Sequence, residues 1–191
     1  MHLDKEDVNL FFNLWFSLIH SVNTKHKIIL PYKKTVYGER MDIDKETFIK
    51  IRDKLWENPK WIDEFIKENE AHLSSEEKEI LTLWRKRFIK GKFIVMKHLR
   101  KHSVLMSSGE ETKLYGMIGI SEPFAATLEH APLPLYIETV LIPFKGRIIS
   151  DSLLRPYSAS FGRNYRESFN RSFNEAKETC GIIERLDGDI S

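Results

Sequence analysis

Apolar side chains recur at helical spacing through the first ninety residues of the chain. The pattern predicts a first helix from about Lys5 to Val22, with apolar residues three and four positions apart. Each of three further helices begins at a recognisable start signal. These signals are Asp44, Asn58 followed by Pro59, and Ser74 with Glu77 three residues later.

The pattern changes at Gly91, which is placed to end the fourth helix. Beyond it the apolar runs become short and are separated by glycine and proline, as is typical of strands joined by turns. The predicted strands are Lys92–Leu99, Ser103–Ser107, Lys113–Ile120, Tyr136–Ile142 and Arg147–Ile149, with Ile182–Ile183 as a last short strand. Near the end, one apolar helical stripe consists of Tyr165, Phe169, Phe173, Ala176 and Cys180.

These elements predict an α+β fold. A helical lobe of about four helices spans residues 1–90, and a sheet-rich α+β lobe spans residues 91–191. The two lobes are expected to form one compact unit. The sheet is expected to be mainly antiparallel and to be covered by the C-terminal helix, because a bare apolar face of that size favours association.

The first helix is apolar on nearly all sides, with only a narrow polar stripe formed by Asn13, Ser17 and His20. Such a helix is either buried at the centre of a core or covered by a partner. The central position is the first interpretation. A homodimer seam along this helix is the second.

Length, charge and cysteine content restrict the class of protein. The chain has 191 residues, 30 Lys plus Arg against 28 Asp plus Glu, and one cysteine, Cys180. A single cysteine can form neither an internal disulfide nor a cysteine-based zinc site. The sequence has neither a signal-peptide pattern nor an apolar run of spanning length, so a cytoplasmic protein without membrane contact is expected.

Charge is strongly segregated along the chain. Residues 85–102 contain eight Lys or Arg and no acid, whereas residues 57–79 contain eight acids and three bases. A basic run with neighbouring aromatic residues is typical of surfaces that bind nucleic-acid phosphates. Alternatively, adjacent helices present complementary charged faces to each other and to water. The candidate contacts in this run are Arg85, Arg87, Lys97 and Arg100.

A second candidate site lies between residues 145 and 166. Lys145, Arg147, Arg163 and Arg166 would converge on an anion if the turn at Gly146 lies near the helix that starts after Gly162. The free N–H groups of that helix start would add to the attraction. Asp151 is the matching acid–base candidate for an enzyme that acts on a phosphorylated or otherwise anionic substrate. Ordinary turn and helix-entry roles explain the same residues.

Other chemistry finds little support in the sequence. The chain lacks the phosphate-loop, dinucleotide-turn, nucleophile-elbow and metalloprotease motifs. His98, His102 and His130 form an incomplete ligand set, so they are interpreted as surface histidines, with no metal or cofactor expected. Cys180, on the apolar stripe, is interpreted as a buried and inert thiol.

One stretch of the chain resembles a group of uncharacterised prokaryotic proteins. The similarity is carried by Ile142–Asp151 (IPFKGRIISD), Ser160-Phe161-Gly162, Arg166-Glu167-Ser168, Asn174–Lys177 and Gly181–Ile183. In that group a similar helical part precedes the same C-terminal signature. The resemblance implies a prokaryotic origin and no particular activity. This chain has Arg163 and Asn164 where further glycines are expected in the group.

Taken together, these features favour a non-enzymatic binding or regulatory module. Its partner would be nucleic acid, through the basic run, or another protein, through the first helix. The alternative is an enzyme for an anionic substrate at residues 145–166.

Overall fold

A computed structural model of the chain describes residues 1–109, 111–129, 131–157 and 161–188. The chain forms two compact units. One is Asp4–Lys86, and the other combines Met1–Leu3 with the chain from Arg87 onward. Helices occupy the first unit and a sheet with one long helix occupies the second, which confirms the α+β class. Among the described helices, none has the length and apolar character needed to cross a membrane.

The helical unit contains α1 (Lys5–His26), α2 (Lys45–Glu57), α3 (Lys60–Glu68) and α4 (Ser75–Arg87). Asp44 caps α2 by accepting the Thr47 N–H at 2.9 Å. Ser74 and Glu77 form the predicted reciprocal capping box at the start of α4. α3 begins directly after Asn58-Pro59, as predicted, but Asn58 does not cap it. The Asn58 side chain donates to the Lys54 carbonyl and so ends α2.

The first helix supplies the core of the helical unit. Trp15, Leu18 and Ile19 of α1 are fully buried. The Trp15 ring lies 5.9 Å from the Trp56 ring of α2 and 6.1 Å from the Trp84 ring of α4. Aromatic rings at these separations add to the stabilisation from burial itself. This is the central placement expected from the apolar pattern of α1; the homodimer seam stays a prediction.

The second unit is built on a mixed sheet of short strands. Its elements are β1 (Ile89–His98), β2 (Ser103–Ser107), β3 (Leu114–Met117), α5 (Phe124–Thr127), β4 (Leu135–Phe144), β5 (Arg147–Ser150), β6 (Arg155–Pro156), α6 (Arg163–Thr179) and β7 (Ile182–Ile183). Gly91 lies inside β1, so the prediction that it ends the fourth helix is wrong. Glycine is common where a strand bends tightly at the corner of a barrel, and Gly91 fits such a position.

Five of the described strands close into a barrel. β1 pairs with β2 along one edge and with β4 along the other, both antiparallel. The remaining pairings link β2 to β3, β3 to β5 and β5 to β4, and the ring order is β1-β2-β3-β5-β4-β1. Only the β3–β5 pairing within this ring is parallel, and it joins Met117 to Ile148. The two short strands outside this ring each pair with one of its members: β6 pairs with β4, and β7 pairs with β3.

Strand alternation separates an inner and an outer face of this barrel. The inner side chains include Phe93, Val95, Leu105, Met117 and Ile148, and Phe124 and Leu128 of the α5 region pack against them. On the outer face, Phe173 and Ala176 of α6 cover Ile94, Met96, Val104, Met106 and Leu114. The C-terminal helix therefore covers the sheet as predicted, but it covers only part of the outside of the barrel.

The β4–β5 hairpin ends in a two-residue turn. Lys145 and Gly146 have φ values of 47° and 71°, and Phe144 pairs with Arg147 directly across the turn. Positive φ at both central positions is the mark of a type I′ turn, whose twist matches that of the flanking strands.

The start of the chain is held against the end of β3. Gly119 accepts the Leu3 N–H at 3.3 Å and donates its own N–H to the Met1 carbonyl at 3.1 Å. A Cβ atom at position 119 would lie 1.7 Å from the Glu122 carbonyl oxygen. The backbone therefore approaches itself so closely that only glycine fits here.

Gly119→Ala is expected to destabilise the barrel unit by about 1–3 kcal/mol or more, because the added methyl group collides with rigid backbone. Gly109→Ala is the matched control, since a Cβ there meets no atom of the described residues within 4 Å. All four tryptophans lie in the helical unit. Hydrogen exchange of the β3 amides, and not tryptophan fluorescence, is therefore the appropriate measurement. Equal protection of the β3 amides in the two variants would contradict the conclusion that only glycine fits at position 119.

Candidate anion-binding site

A cavity of about 330 Å³ opens at one end of the barrel. It lies where the turn between β1 and β2 (residues 99–102) meets the turn between β4 and β5 (residues 145–146). Its wall is completed by β3 and by the segment that follows β7. The residues lining it are Met1, Lys101, His102, Gly116, Ile118, Gly146, Arg147, Ile148, Glu184 and Arg185.

His102 forms the least exposed polar part of this wall. Its side chain is 8% exposed, and its Nδ1 lies 3.7 Å from the Glu184 carboxylate. Its Nε2 is buried without a hydrogen-bond partner among the described residues. A Cβ at position 116 would come within 3.0–3.1 Å of the imidazole ring, so Gly116 leaves the space that the ring occupies.

Arg185 stands at the other side of the cavity, above the β4–β5 turn. A Cβ at Gly146 would lie 3.2 Å from its Nη2, so the absent side chain leaves room for the guanidinium group. Asp187 holds the guanidinium through two contacts, at 3.1 Å from Nε and 3.3 Å from Nη2. These hydrogen bonds lower the pKa of Asp187 and raise that of Arg185. Arg185 is thus both charged and oriented while its side chain stays largely exposed.

The balance of charge in the cavity favours an anion. Lys101, Arg147 and Arg185 are cations that line it, and Glu184 is the one carboxylate among the described lining residues. Arg147 also has Nη1 3.0 Å from the Met1 sulfur, which restricts its position. Several fixed donors around a small cavity are the usual means of binding phosphate or carboxylate groups.

One residue of the predicted 145–166 site lines this cavity. Among the described residues that line the cavity, Arg147 is present, whereas Lys145, Asp151, Arg163 and Arg166 are not. Asp151 is fully buried after β5, and its Oδ1 accepts the Leu153 N–H at 3.3 Å. This is the hydrogen-bond pattern of an Asx turn, which connects β5 to β6. A structural role accounts for this carboxylate.

The arginines at the start of α6 interact locally. Arg163 is exposed and pairs with Glu167 one turn further along the helix, at 2.8 Å. The Arg166 Nε donates to the Phe161 carbonyl at 3.0 Å. Ser160, part of the proposed helix-start region, lies outside the described residues.

The basic run from residue 85 to 102 is divided among different environments. Arg85 pairs with Asp63 at 2.9 Å, so here the interpretation as complementary helix faces is confirmed. Arg87 donates to the Gly188 carbonyl, and the Lys97 ammonium lies 4.7 Å from the centre of the Phe173 ring. Arg100 is exposed in the β1–β2 turn, beside the cavity residue Lys101.

Two predictions about single side chains are wrong. Cys180 is exposed, because α6 ends at Thr179 and Cys180 is the C-cap residue beyond its last turn. His102 is buried and is not a surface histidine. His98 is half-buried and its Nδ1 lies 2.7 Å from the Ser103 hydroxyl, whereas His130 lies outside the described residues. Within the described part of the chain, His, Cys, Asp and Glu do not form a group of three that could hold a metal ion.

The helical unit has cavities of different character. One of about 400 Å³ is lined by polar groups of both charges, including His20, Lys34 and Glu77. Burial, with a smaller effect from Lys34, lowers the pKa of His20, which keeps the imidazole neutral near pH 7. A second, of about 640 Å³, is mainly apolar and is lined by the end of α1 and residues 27–32. Neither combines several fixed cations as the barrel cavity does.

The sequence did not predict three residues of the barrel cavity: the buried His102, Gly116 and Arg185. They come from three separate segments that meet only when the barrel closes. The local feature of the sequence that indicates this site is the basic cluster Arg100-Lys101-His102, which lies between two predicted strands. Nothing in the sequence relates Arg185 to it.

The Asp187–Arg185 pair makes a pH-dependent prediction. The pKa of Asp187 is lower in the folded protein than in the unfolded chain. The ion pair therefore stabilises the segment after β7 at pH values above the ordinary aspartate pKa, and this stabilisation is lost as the pH falls through the lowered pKa. Arg185→Gln is expected to return the pKa of Asp187 toward the usual aspartate range, and Arg171→Gln is expected to leave it unchanged. Carboxyl ¹³C titration by NMR measures both. An unchanged pKa in Arg185→Gln would show that the pair does not form.

Comparisons with models of protein families, with curated proteins and with solved structures find no match to this chain.

Proposed function

We propose that this protein is a non-enzymatic module that binds single-stranded nucleic acid through its phosphates at the barrel cavity. The observation that carries the proposal is the meeting of Lys101, Arg147 and Arg185 around one small cavity at the turn end of the barrel. The phosphate chain is the anion for which such clusters of lysine and arginine provide most of the affinity.

The architecture of the barrel supports the same function. The OB-fold is a five-stranded barrel that binds oligonucleotides and oligosaccharides on the face of strands 2 and 3 and through loops 1–2 and 4–5. Here the corresponding turns, residues 99–102 and 145–146, both line the cavity. The positive lining favours a nucleic acid over a neutral sugar. This support is by analogy of fold, since one fold serves many functions.

The alternative of an enzyme for an anionic substrate draws less support from the structure. Its proposed acid–base residue, Asp151, is occupied in the turn after β5 and does not line the cavity among the described residues. A cytoplasmic location suits a nucleic-acid-binding module with one exposed cysteine, because cytosolic thiols are kept reduced. The prokaryotic origin and a dimer along α1 stay predictions from the sequence.

Replacing Lys101 and Arg147 together by Gln should weaken binding of a single-stranded oligonucleotide and reduce its salt dependence. Loss of two phosphate contacts lowers the slope of log affinity against log salt by about 1.4 for a single strand. Both side chains are exposed, so the fold is expected to tolerate the change. Fluorescence anisotropy across a salt series, on protein freed of copurified nucleic acid, gives the slope.

The matched control is Arg163→Gln with Arg166→Gln, which removes the same charge from α6. This pair is expected to leave the slope close to that of the unmodified protein. A larger loss in the α6 pair would move the site to residues 145–166. No binding by the unmodified protein at low salt, where screening is weakest, would overturn the proposed function.

A further inference from the structure

We propose that the barrel cavity recognises the terminal phosphate monoester of a nucleic-acid strand, with His102 and Arg185 as its principal contacts. This inference rests on the proposed function and identifies the part of the strand that enters the cavity. Three independent features support it: an unpartnered buried nitrogen, the size and position of the cavity, and its charge.

The first feature is the Nε2 atom of His102. The His102 side chain lines the cavity and is 8% exposed. Its Nε2 atom has no hydrogen-bond partner among the described residues. A buried polar atom without a partner is costly, so a ligand that supplies one is favoured. An imidazole with a proton on Nε2 donates to a phosphate oxygen.

The second feature is the limited size of the cavity that His102 lines. A cavity of 330 Å³ is at the lower end of the range for small-molecule sites, which begins at about 300 Å³. An internal phosphodiester continues as a chain in two directions, whereas a terminal phosphate has only one substituent and can enter end-on. In addition, Phe173 and Ala176 of α6 cover the outer face of β2 and β3, along which a strand would otherwise lie.

The third feature is the amount of charge. A phosphate monoester carries between about 1.5 and 2 negative charges near neutral pH, against one for an internal phosphodiester. Three cations among the described lining residues can contact it, with Glu184 in the wall and Asp187 beside Arg185 as the carboxylates nearby. Asp187 orients Arg185 by accepting from its Nε and Nη2. The N–H groups of Nη1 and the second N–H of Nη2 are left to bind phosphate oxygens.

The experiment compares three single-stranded oligonucleotides of one sequence, about ten nucleotides long, which is within the site size of such barrels. One carries a 5′-phosphate, one a 3′-phosphate and one neither, and each has its fluorophore at an internal base. We expect at least one phosphorylated end to bind the unmodified protein roughly tenfold more tightly than the unphosphorylated strand, the gain from one charged hydrogen-bonded group. Inorganic phosphate and a mononucleotide serve as competitors.

Two variants assign the preference to residues. His102→Asn keeps a polar group near the Nδ1 position but removes Nε2. Arg185→Gln removes a largely exposed charge together with its ion pair to Asp187. Both should abolish the preference for the phosphorylated end. In Arg185→Gln the unphosphorylated strand should also bind more weakly, because Arg185 is one of the three cations that line the cavity. Arg171→Gln, an exposed arginine on α6, is the control with the same loss of charge and should keep the preference.

The outcomes separate the two proposals. Equal binding of all three oligonucleotides by the unmodified protein would overturn the end-recognition inference and leave the proposed function in place. Absence of binding to any oligonucleotide would overturn the proposed function, even if the mononucleotide binds. A preference that survives in both His102→Asn and Arg185→Gln would overturn the assignment of the contacts.

Discussion

Pairing of β1 along both of its edges closes the barrel, and the arrangement of the second unit follows from it. An open sheet would leave two rows of unpaired backbone groups, which invite association with other chains. The β1–β4 register runs from Ile89 opposite Leu141 to Val95 opposite Leu135, so seven residue pairs form the closing seam. β1 can serve both neighbours because its register with β2 shifts between Val95 and Lys97, and a bulge of this kind bends the strand.

Closure also creates the candidate site. The β1–β2 turn and the β4–β5 turn are more than forty residues apart in sequence, yet they become neighbours at one end of the ring. Cations that a flat sheet would spread along its edge are thereby brought around one cavity. Because α6 covers part of the outer face, we propose that an anion binds at this end of the barrel and not on the strand surface.

The sequence predicted those parts of the fold that depend on neighbouring residues. A short apolar run predicted β2 with its observed limits, and the cap at Asp44 and the box at Ser74 and Glu77 start helices where expected. Predictions of element boundaries were wrong where one residue type is compatible with two kinds of local structure. Gly91 is compatible with a helix end and with a bent strand, and only the pairing of β1 decides between them.

The sequence alone did not predict which distant segments lie together in the fold. Barrel closure depends on a pairing between residues about fifty positions apart, which leaves no periodic signal. His102 was taken for a surface residue because its burial depends on Gly116, in another strand. Of the basic residues singled out, Arg147 lines the cavity, whereas Arg85 and Arg163 pair with nearby acids.

Mapping of backbone amide shifts on addition of a single-stranded oligonucleotide tests the central claim most directly, because it locates binding without relying on any substitution. The account predicts that the largest changes fall together in residues 99–102, 116–118, 145–148 and 184–185, the segments that closure brings to one end of the barrel. Changes confined to the exposed side of α6 or to the helical unit would contradict it.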